Sequence, residues 1–404
     1  MAKKPKIRFN GFQEDWKEEK LGECFKERQD RSAEGELISV TINSGVVRAA
    51  DTGRRDSSSA DKSHYKVVKK GDFAYNSMRM WQGACGDSQY DGILSPAYTV
   101  AIPLGKIDTS FFTYLSKTAN QLRTYRINSQ GMTSDTWNLK FPTFAKIGVM
   151  VPDVDEQKQI SQFLASVDET ISLRERELEK LKQLKAACLD KMFANGGGKS
   201  RPSIRFAGFT DEWQSITLGE ITNRVTRKNS NLECQLPLTI SAMYGLISQA
   251  DFYNARIASA DLSGYYLLYS GEFAYNKSTS SDYPWGAIKR LDNYDKGVIS
   301  TLYIAFVPKE DVDSNYIVSY YETDKWYDEI KMRAAEGARN HGLLNIAPVD
   351  FFDTEILIPI QKKEQEKVGQ FCENIGKIIL LRQKELTKLR NLKQACLAQM
   401  FAAA

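Results

Sequence analysis

Two long segments carry apolar side chains at intervals of three and four residues, the spacing that places them on one face of an α-helix. They are residues 156–193 and 364–401. At ~1.5 Å per residue, each predicted helix extends ~57 Å, which is longer than one small domain can cover. We therefore expect the apolar faces to pack against each other or against a partner. These faces comprise Phe163, Val167, Ile171, Leu178, Leu181, Cys188 and Met192 in the first helix and Phe371, Ile375, Ile379, Leu386, Leu389, Cys396 and Met400 in the second.

The residues that precede each long helix follow a different pattern. In the first half, short runs rich in β-branched and aromatic residues at 37–42, 73–76, 98–102 and 147–151 alternate with turns rich in Gly and Asp. Such runs predict strands, and helical spacing over 111–122 predicts one helix between them. Each half is therefore expected to form an α+β globule followed by a long helix.

The two halves of the chain repeat each other. Residues 5–23 and 202–220 agree at ten of nineteen positions, and the run 71–76 returns with one change as 271–276. The two helical segments agree at 18 of 38 positions. Because the repeated blocks keep their order, the sequence predicts two copies of one structural unit.

The halves are joined by a glycine-rich segment, 194–201, whose composition is typical of a flexible linker. Its run Gly198-Lys199-Ser200 imitates the end of a phosphate-binding P-loop. Phe193 occupies the place of the first glycine of that motif, and a helix rather than a strand precedes it, so the linker interpretation is favoured.

Composition excludes several classes of protein. The formal net charge of +4 is too small to indicate nucleic-acid binding by itself. No run approaches the ~18 to 20 apolar residues that cross a bilayer, and no apolar run follows the basic start as in a signal peptide. We therefore expect a cytoplasmic protein that does not enter a membrane.

The six cysteines indicate buried, reduced thiols rather than a metal site. They form no Cys-x-x-Cys pair, and with His64 and His341 as the two histidines of the chain there is no zinc-ligand spacing. We expect no bound metal.

Motifs of catalysis are absent from the sequence. Residues 95–98, Ser-Pro-Ala-Tyr, resemble the motif with which methyltransferases hold a target amine, but they lack its middle proline, and the other half has Ser-Thr-Leu-Tyr at 300–303. A strand end with a buried tyrosine is the favoured interpretation. The acidic residues are scattered along helices and turns rather than clustered as in a metal-dependent nuclease. We expect no catalytic residue.

The order of the repeated motifs resembles that of type I restriction-modification specificity subunits. These motifs are Phe-x-Gly-Phe-x-x-x-Trp with Leu-Gly-Glu, then Gly-Asp/Glu-Phe-Ala-Tyr-Asn, then a Glu-Gln that leads into a helix ending Ala-Cys-Leu-x-x-Met-Phe. Each motif is weak alone, but their order and duplication over essentially the whole chain are specific.

The resemblance implies a non-catalytic subunit that reads a bipartite, asymmetric sequence in double-stranded DNA. Two modification subunits that bind S-adenosylmethionine would methylate adenine, and restriction and translocase subunits would complete the enzyme, so this chain itself would hold no cofactor. The fold implied is α+β, with two pseudo-repeated target-recognition domains and two long helices that form an antiparallel coiled-coil spacer. The expected segments are target-recognition domain 1 (1–154), spacer helix 1 (155–193), the linker (194–201), target-recognition domain 2 (202–361) and spacer helix 2 (362–401).

DNA contacts are expected from polar, basic or aromatic side chains in segments that differ between the halves yet lie beside shared strands. Arg79, Arg339 and Asn340 are the strongest candidates for base reading, because arginine binds guanine and asparagine binds adenine through paired hydrogen bonds. Trp81 suits a core position as well. The candidates are Thr41, Ser44, Ser77, Arg79, Trp81, Arg126, Thr133, Ser134, Asn138, Ser241, Tyr244, Lys277, Ser278, Thr279, Arg333, Arg339, Asn340 and His341.

Two other classes of function remain open at the level of sequence. The chain would be an enzyme if it were the recognition part of a fused methyltransferase or an uncharacterised nuclease, and binding of S-adenosylmethionine by the isolated chain would reveal it. The chain could instead be a structural coiled-coil adaptor with no DNA role. A DNA shift assay with added modification subunit would distinguish this alternative.

Overall fold

The computed structural model describes residues 4–53, 55, 58–194, 200–241, 244–253, 258–281, 283–334 and 342–402. The chain divides into two compact units, and unit 1 combines residues from both ends of the sequence. Unit 1 comprises Met1–Arg176 and Lys384–Ala404, whereas unit 2 comprises Glu177–Gln383. Each long helix thus contributes one segment to each unit.

Unit 1 is an α+β structure built from short strands and helices. Its strands are β1 (Lys17–Lys20), β2 (Phe25–Glu27), β3 (Ile38–Thr41), β4 (Gly45–Arg48), β5 (Lys66–Val68), β6 (Phe73–Asn76), β7 (Cys85–Asp87), β8 (Gly92–Leu94), β9 (Tyr98–Pro103) and β10 (Gly148–Val151). Its helices are α1 (Leu21–Cys24), α2 (Thr109–Leu115), α3 (Ala119–Asn128), α4 (Phe141–Phe144) and the first part of α5 (Val154–Met192).

Unit 2 has the same kind of composition. Its strands are β11 (Gln214–Thr217), β12 (Thr222–Val225), β13 (Leu238–Ser241), β14 (Gly245–Ser248), β15 (Tyr266–Tyr269), β16 (Phe273–Asn276), β17 (Ala287–Arg290), β18 (Lys296–Ile299), β19 (Ile304–Pro308) and β20 (Glu355–Ile358). Its helices are α6 (Leu218–Ile221), α7 (Gln249–Tyr253), α8 (Ser314–Tyr320), α9 (Tyr327–Arg333), α10 (Pro348–Phe352) and the first part of α11 (Lys362–Gln399).

The strands pair in the same order in both units. The four-stranded antiparallel sheet runs β2-β9-β6-β7 in unit 1 and β12-β19-β16-β17 in unit 2. Three two-stranded sheets accompany each of them: β1-β10, β3-β4 and β5-β8 in unit 1, and β11-β20, β13-β14 and β15-β18 in unit 2. The predicted α+β class is confirmed.

Alternation along the central strand separates two cores. Phe73 and Tyr75 face the large aromatic core that the helices cover, whereas Ala74 faces a smaller core with the β3-β4 hairpin. Since successive side chains of a strand point to opposite faces, one four-residue strand serves both cores. Phe273, Tyr275 and Ala274 repeat this division in unit 2.

The predicted strand at 73–76 and the two predicted long helices are confirmed. The single helix expected over 111–122 is instead two helices, α2 and α3. The physical reason is local, because the Thr118 side chain accepts a hydrogen bond from the Gln121 backbone N–H and so caps a new helix.

A buried ion pair fixes the start of each long helix to its globule. Glu156 accepts two hydrogen bonds from the Arg8 guanidinium, at 2.7 and 2.8 Å. Glu364 accepts the matching pair from Arg205, at 2.6 and 2.8 Å. The hydrogen bonds to these carboxylates raise the pKa of both arginines. The motif Ile-Arg-Phe that begins each repeat therefore has a structural role.

The Met-Phe end of each long helix inserts into the core of a globule. The Phe401 ring lies 5.3 Å from that of Phe111 in unit 1, and the Phe193 ring lies 5.2 Å from that of Tyr316 in unit 2. The repeated sequence Ala-Cys-Leu-x-x-Met-Phe is thus an anchor for the helix end. No helix among the described residues is both long enough and apolar enough to cross a membrane.

Candidate nucleic-acid interface

An asparagine ends the central strand of each unit and shapes the loop that follows. The Asn76 Oδ1 atom accepts a hydrogen bond of 3.1 Å from the Met78 backbone N–H, and Asn276 Oδ1 accepts one of 3.0 Å from Ser278. An asparagine bonded to the backbone two residues ahead is a turn-forming arrangement. The loops after β6 and β16 therefore begin with the same geometry. Sequence reasoning did not include these asparagines among the site residues, although their recurrence in both repeats is a usable signal.

Each of these loops pairs with a second loop from later in its unit. In unit 1 the Leu139 N–H donates to the Ser77 carbonyl at 2.8 Å, and in unit 2 the Leu344 N–H donates to the Lys277 carbonyl at 3.0 Å. Thr279 adds a backbone hydrogen bond of 2.7 Å to Gly342 in unit 2. In unit 1 the structure thus brings together the two divergent segments that sequence analysis selected, whereas in unit 2 it places Gly342 and Leu344, which follow the second selected segment, beside the loop after β16.

Aromatic contacts support the paired loops of unit 1. The Trp81 and Trp137 rings meet edge to face at 5.1 Å, and the Arg126 guanidinium lies 5.2 Å from the centre of the Trp137 ring. Trp81 also packs against the main core of the unit. We therefore assign Trp81 a supporting position, whereas Arg126 is exposed.

A polar cleft of about 550 Å³ lies beside these loops in unit 1. It brings together three of the predicted residues, Thr41, Ser44 and Arg79, and Asn76 also lines it. The Arg79 guanidinium lies 3.9 Å from the Asp135 carboxylate, and the two side chains are 39% and 86% exposed. Arg79 is accordingly available to a ligand that displaces a weak, solvated ion pair.

In the hairpins β3-β4 and β13-β14, some of the predicted DNA-contact residues form the turn and others are exposed at its tip. The Thr41 Oγ1 atom accepts from the Ser44 N–H at 3.0 Å, and Ser241 Oγ accepts from the Tyr244 N–H at 3.1 Å. Gly45 and Gly245, at φ 64° and 80°, complete the turns in a left-handed conformation that favours glycine. Ser44 and Tyr244 stand at the tips, and Tyr244 is 64% exposed.

Two predicted hydroxyl groups are withdrawn from solvent. Ser77 is buried, and its hydroxyl pairs with that of Thr99 at 2.8 Å. Ser241 is buried as well and holds its own turn. The sequence predicts that these side chains lie in solvated loops and contact DNA. Their burial does not agree with direct contact.

Two predicted cations of unit 2 have partners within the protein. The Lys277 ammonium is partly buried, which lowers its pKa, and it lies 3.4 Å from the Ile346 carbonyl. Arg333 binds the Glu329 carboxylate and donates to the Asp353 carbonyl at 2.7 Å. Arg333 therefore connects α9 to the segment before β20 and is committed to structure.

The remaining candidates differ in exposure. Thr133, Ser134 and Ser278 are exposed, Thr279 is partly buried, and the Asn138 Oδ1 atom is buried with no hydrogen-bond partner among the described residues. Arg339, Asn340 and His341 lie outside the described residues.

The predicted apolar faces of the long helices are mostly covered. The fully buried members are Val167, Leu178, Cys188, Met192, Ile375, Leu386, Cys396 and Met400. The half-buried members are Phe163, Ile171, Leu181, Phe371, Ile379 and Leu389. The described residues include no cluster of His, Cys, Asp and Glu that is placed to hold a metal ion, and the six cysteines are buried free thiols.

A family model matches the first half of the chain. Residues 13–183 match the model of the type I restriction modification DNA specificity domain. The matched segment includes the β3-β4 hairpin, both paired loops of unit 1 and most of α5.

Solved structures with a similar fold are known. The S subunit of a type I restriction-modification system from M. genitalium is 15% identical, with 99% of each chain covered and a TM-score of 0.60. The HsdS subunit from Thermoanaerobacter tengcongensis is also 15% identical over 99% of each chain, with a TM-score of 0.47. A structure described as explaining complex assembly and conformational transition of the type I R-M system is 14% identical, with 96% and 98% of the two chains covered and a TM-score of 0.49. At 15% identity, the similarity to the M. genitalium S subunit supports the fold alone.

Proposed function

We propose that this chain, whose residues 13–183 match the model of the type I restriction modification DNA specificity domain, is the sequence-reading subunit of a type I restriction-modification enzyme. It binds double-stranded DNA and directs adenine methylation and restriction, which partner subunits catalyse. The chain itself supplies recognition and no catalytic group.

The observation that carries this proposal is the shared pair of loops in the two units. The equivalent strands β6 and β16 end in Asn76 and Asn276, and each is followed by a loop whose sequence differs between the units. Backbone hydrogen bonds connect each of these loops to a second loop. A constant support with variable loops is suited to reading two different short sequences. The target is therefore bipartite and asymmetric, with one half-site for each globule.

The two long helices act as the spacer between the half-sites. Within unit 1, Asp168 and Glu175 of α5 pair with Lys393 and Arg390 of α11, so that higher numbers on one helix meet lower numbers on the other. This order supports antiparallel packing. An antiparallel pair of equivalent helices has a pseudo-two-fold axis, the symmetry with which dimers address two half-sites on a duplex.

The partners follow from the same proposal. Two modification subunits, which bind S-adenosylmethionine, dock on equivalent surfaces of the repeated chain, and restriction and translocase subunits complete the enzyme in the cytoplasm. The proposal keeps the domain boundaries that the sequence predicts. These are two target-recognition domains at 1–154 and 202–361, spacer helices at 155–193 and 362–401, and the linker at 194–201.

A selection experiment tests the proposal. The full chain, mixed with its modification subunit, is incubated with a pool of randomised duplexes, and the bound DNA is sequenced. We expect enrichment of two short specified segments separated by a fixed number of unspecified bases. Enrichment of one continuous sequence or of none contradicts the proposal, and methyl transfer by the chain alone contradicts its non-catalytic role.

A further inference from the structure

Unit 2 contains a second cleft, remote in sequence from the paired loops of unit 1. It has a volume of about 460 Å³ and lies where α5 and α11 meet β17 and the turn between α8 and α9. Its lining includes Lys182, Lys185 and Lys289 together with Trp326 and Tyr327. The volume falls within the ~300 to 1,000 Å³ of pockets that hold small molecules.

The cleft occupies a place that unit 1 fills with side chains. In the repeated helices, Asp168 of unit 1 corresponds to Gly376 of unit 2, and Lys393 corresponds to Lys185. In unit 1 the Asp168 carboxylate pairs with Lys393 and accepts a hydrogen bond of 3.0 Å from Tyr114. In unit 2 the position of Tyr114 is taken by Ser319. Replacement of a tyrosine and an aspartate by a serine and a glycine therefore removes bulk at these two positions, and in unit 2 the carboxylate that pairs with the lysine comes from Glu322 instead.

Positive charge is left in excess at this cleft. Lys185 pairs with Glu322 at 2.8 Å, whereas Lys289 has no hydrogen-bond or ion-pair partner in the described part of the chain. Burial lowers the pKa of Lys289, and the nearby Glu322 carboxylate opposes this effect without forming an ion pair with it. Gly86 corresponds to Lys289 in the strand register of unit 1, so this cation belongs to unit 2 alone.

Aromatic residues also line the cleft. Trp326 is 4% exposed, and its indole N–H has no acceptor among the described residues. The Trp326 and Tyr327 rings meet at 4.9 Å. Lysines favour phosphate as point charges, and tyrosine and tryptophan rings favour planar ring systems.

We propose that this cleft binds a small phosphate-bearing molecule with a planar ring, of the size of a mononucleotide. Lys289 and Lys185 hold the phosphate group, and the aromatic side chains at the start of α9, Trp326 and Tyr327, contact the ring. The residues that hold this ligand, Lys185 of α5 and Lys289 of β17, are not among the DNA-contact candidates of unit 2.

Calorimetric titration of the full chain with AMP tests this site. We expect saturable binding of AMP and, because adenosine lacks the phosphate group, binding of adenosine that is at least about tenfold weaker. Lys289→Gln should weaken AMP binding by about tenfold, because it removes one charged partner of the phosphate group.

The substitution Gly376→Asp is the sharper variant, since it restores the carboxylate that unit 1 has at the same position. A Cβ atom at Gly376 meets the Lys185 ammonium at 3.5 Å, an ordinary contact with a flexible side chain. The variant should fold, neutralise Lys185 and abolish AMP binding. Lys146→Gln, which removes an exposed lysine of unit 1, should leave it unchanged. Absence of AMP binding to the unaltered chain overturns the proposal, as does binding that persists in both Lys289→Gln and Gly376→Asp.

Discussion

At the scale of single residues, position in the fold separates side chains that are accessible to a ligand from those that hold the loops. Arg79 and Ser44 line one cleft, whereas Ser77, which directly follows β6, is buried against Thr99. The sequence selected these segments because they diverge between the repeats. It did not separate Ser77 from Arg79, because burial of Ser77 depends on a partner 22 residues away.

Arg79→Ala should relax recognition in one half-site and leave the other unchanged. The lost base contact is expected to cost about 1 to 3 kcal/mol of binding free energy for the preferred sequence. Binding to duplexes varied at each position measures the effect. Arg48→Ala is the control, because this arginine of the same unit is paired with Glu36. Equal specificity profiles for Arg79→Ala and the unaltered chain would rule out Arg79 as a base reader.

Glu156→Ala should destabilise the chain strongly. The substitution removes the Glu156 carboxylate, which is 1% exposed and pairs with the Arg8 guanidinium. Breaking a buried pair costs about 3 to 5 kcal/mol. Glu175→Ala, which removes an exposed partner of Arg390, should cost less than about 1 kcal/mol. Unfolding in urea compares the two variants, and equal losses of stability would contradict the assigned role of Glu156.

At the scale of elements, the long helices were predictable and the shorter ones were less so. A stripe of apolar residues over ten turns is a strong signal, and α5 and α11 follow it. The break between α2 and α3 depends on one hydroxyl group, that of Thr118, which a periodic pattern does not register. The aromatic support of the unit 1 loops was also beyond sequence reasoning, because Trp81 and Trp137 lie far apart in the chain.

Two leucines of α5 provide a matched test of its apolar face. Leu178 is 7% exposed and Leu184 is 50% exposed. Leu178→Ala should lower the free energy of unfolding by about 2 to 5 kcal/mol, because it leaves a cavity. Leu184→Ala should lower it by less than about 1 kcal/mol. Urea unfolding of both variants measures this difference, and a reversed order would show that the helix packs on another face.

At the scale of the whole molecule, the chain contains two copies of one structural unit. The repeats were visible in sequence, and the matching strand orders of the two units agree with them. The assignment of the last 21 residues to unit 1 was not predicted, because sequence similarity reveals equivalent segments but not which copy of a globule each segment contacts.

The spacer gives the most direct test of the central claim, that two globules read two half-sites at a distance set by the helices. Seven residues are inserted into each helix where the two units divide, after Arg176 and after Gln383, so that contacts within each unit are kept. Seven residues keep the apolar stripe nearly in phase and add ~10 Å, or roughly three base pairs at ~3.4 Å each.

Methylated adenines are then mapped by sequencing DNA from cells that contain the modification subunits and either the original or the lengthened chain. A two-residue insertion at the same places serves as the control, because it turns the stripe by ~200° and should abolish methylation. The account predicts that the lengthened chain keeps both ends of the methylated target and gains unspecified bases between them. A target with changed ends, or with an unchanged gap, would contradict it.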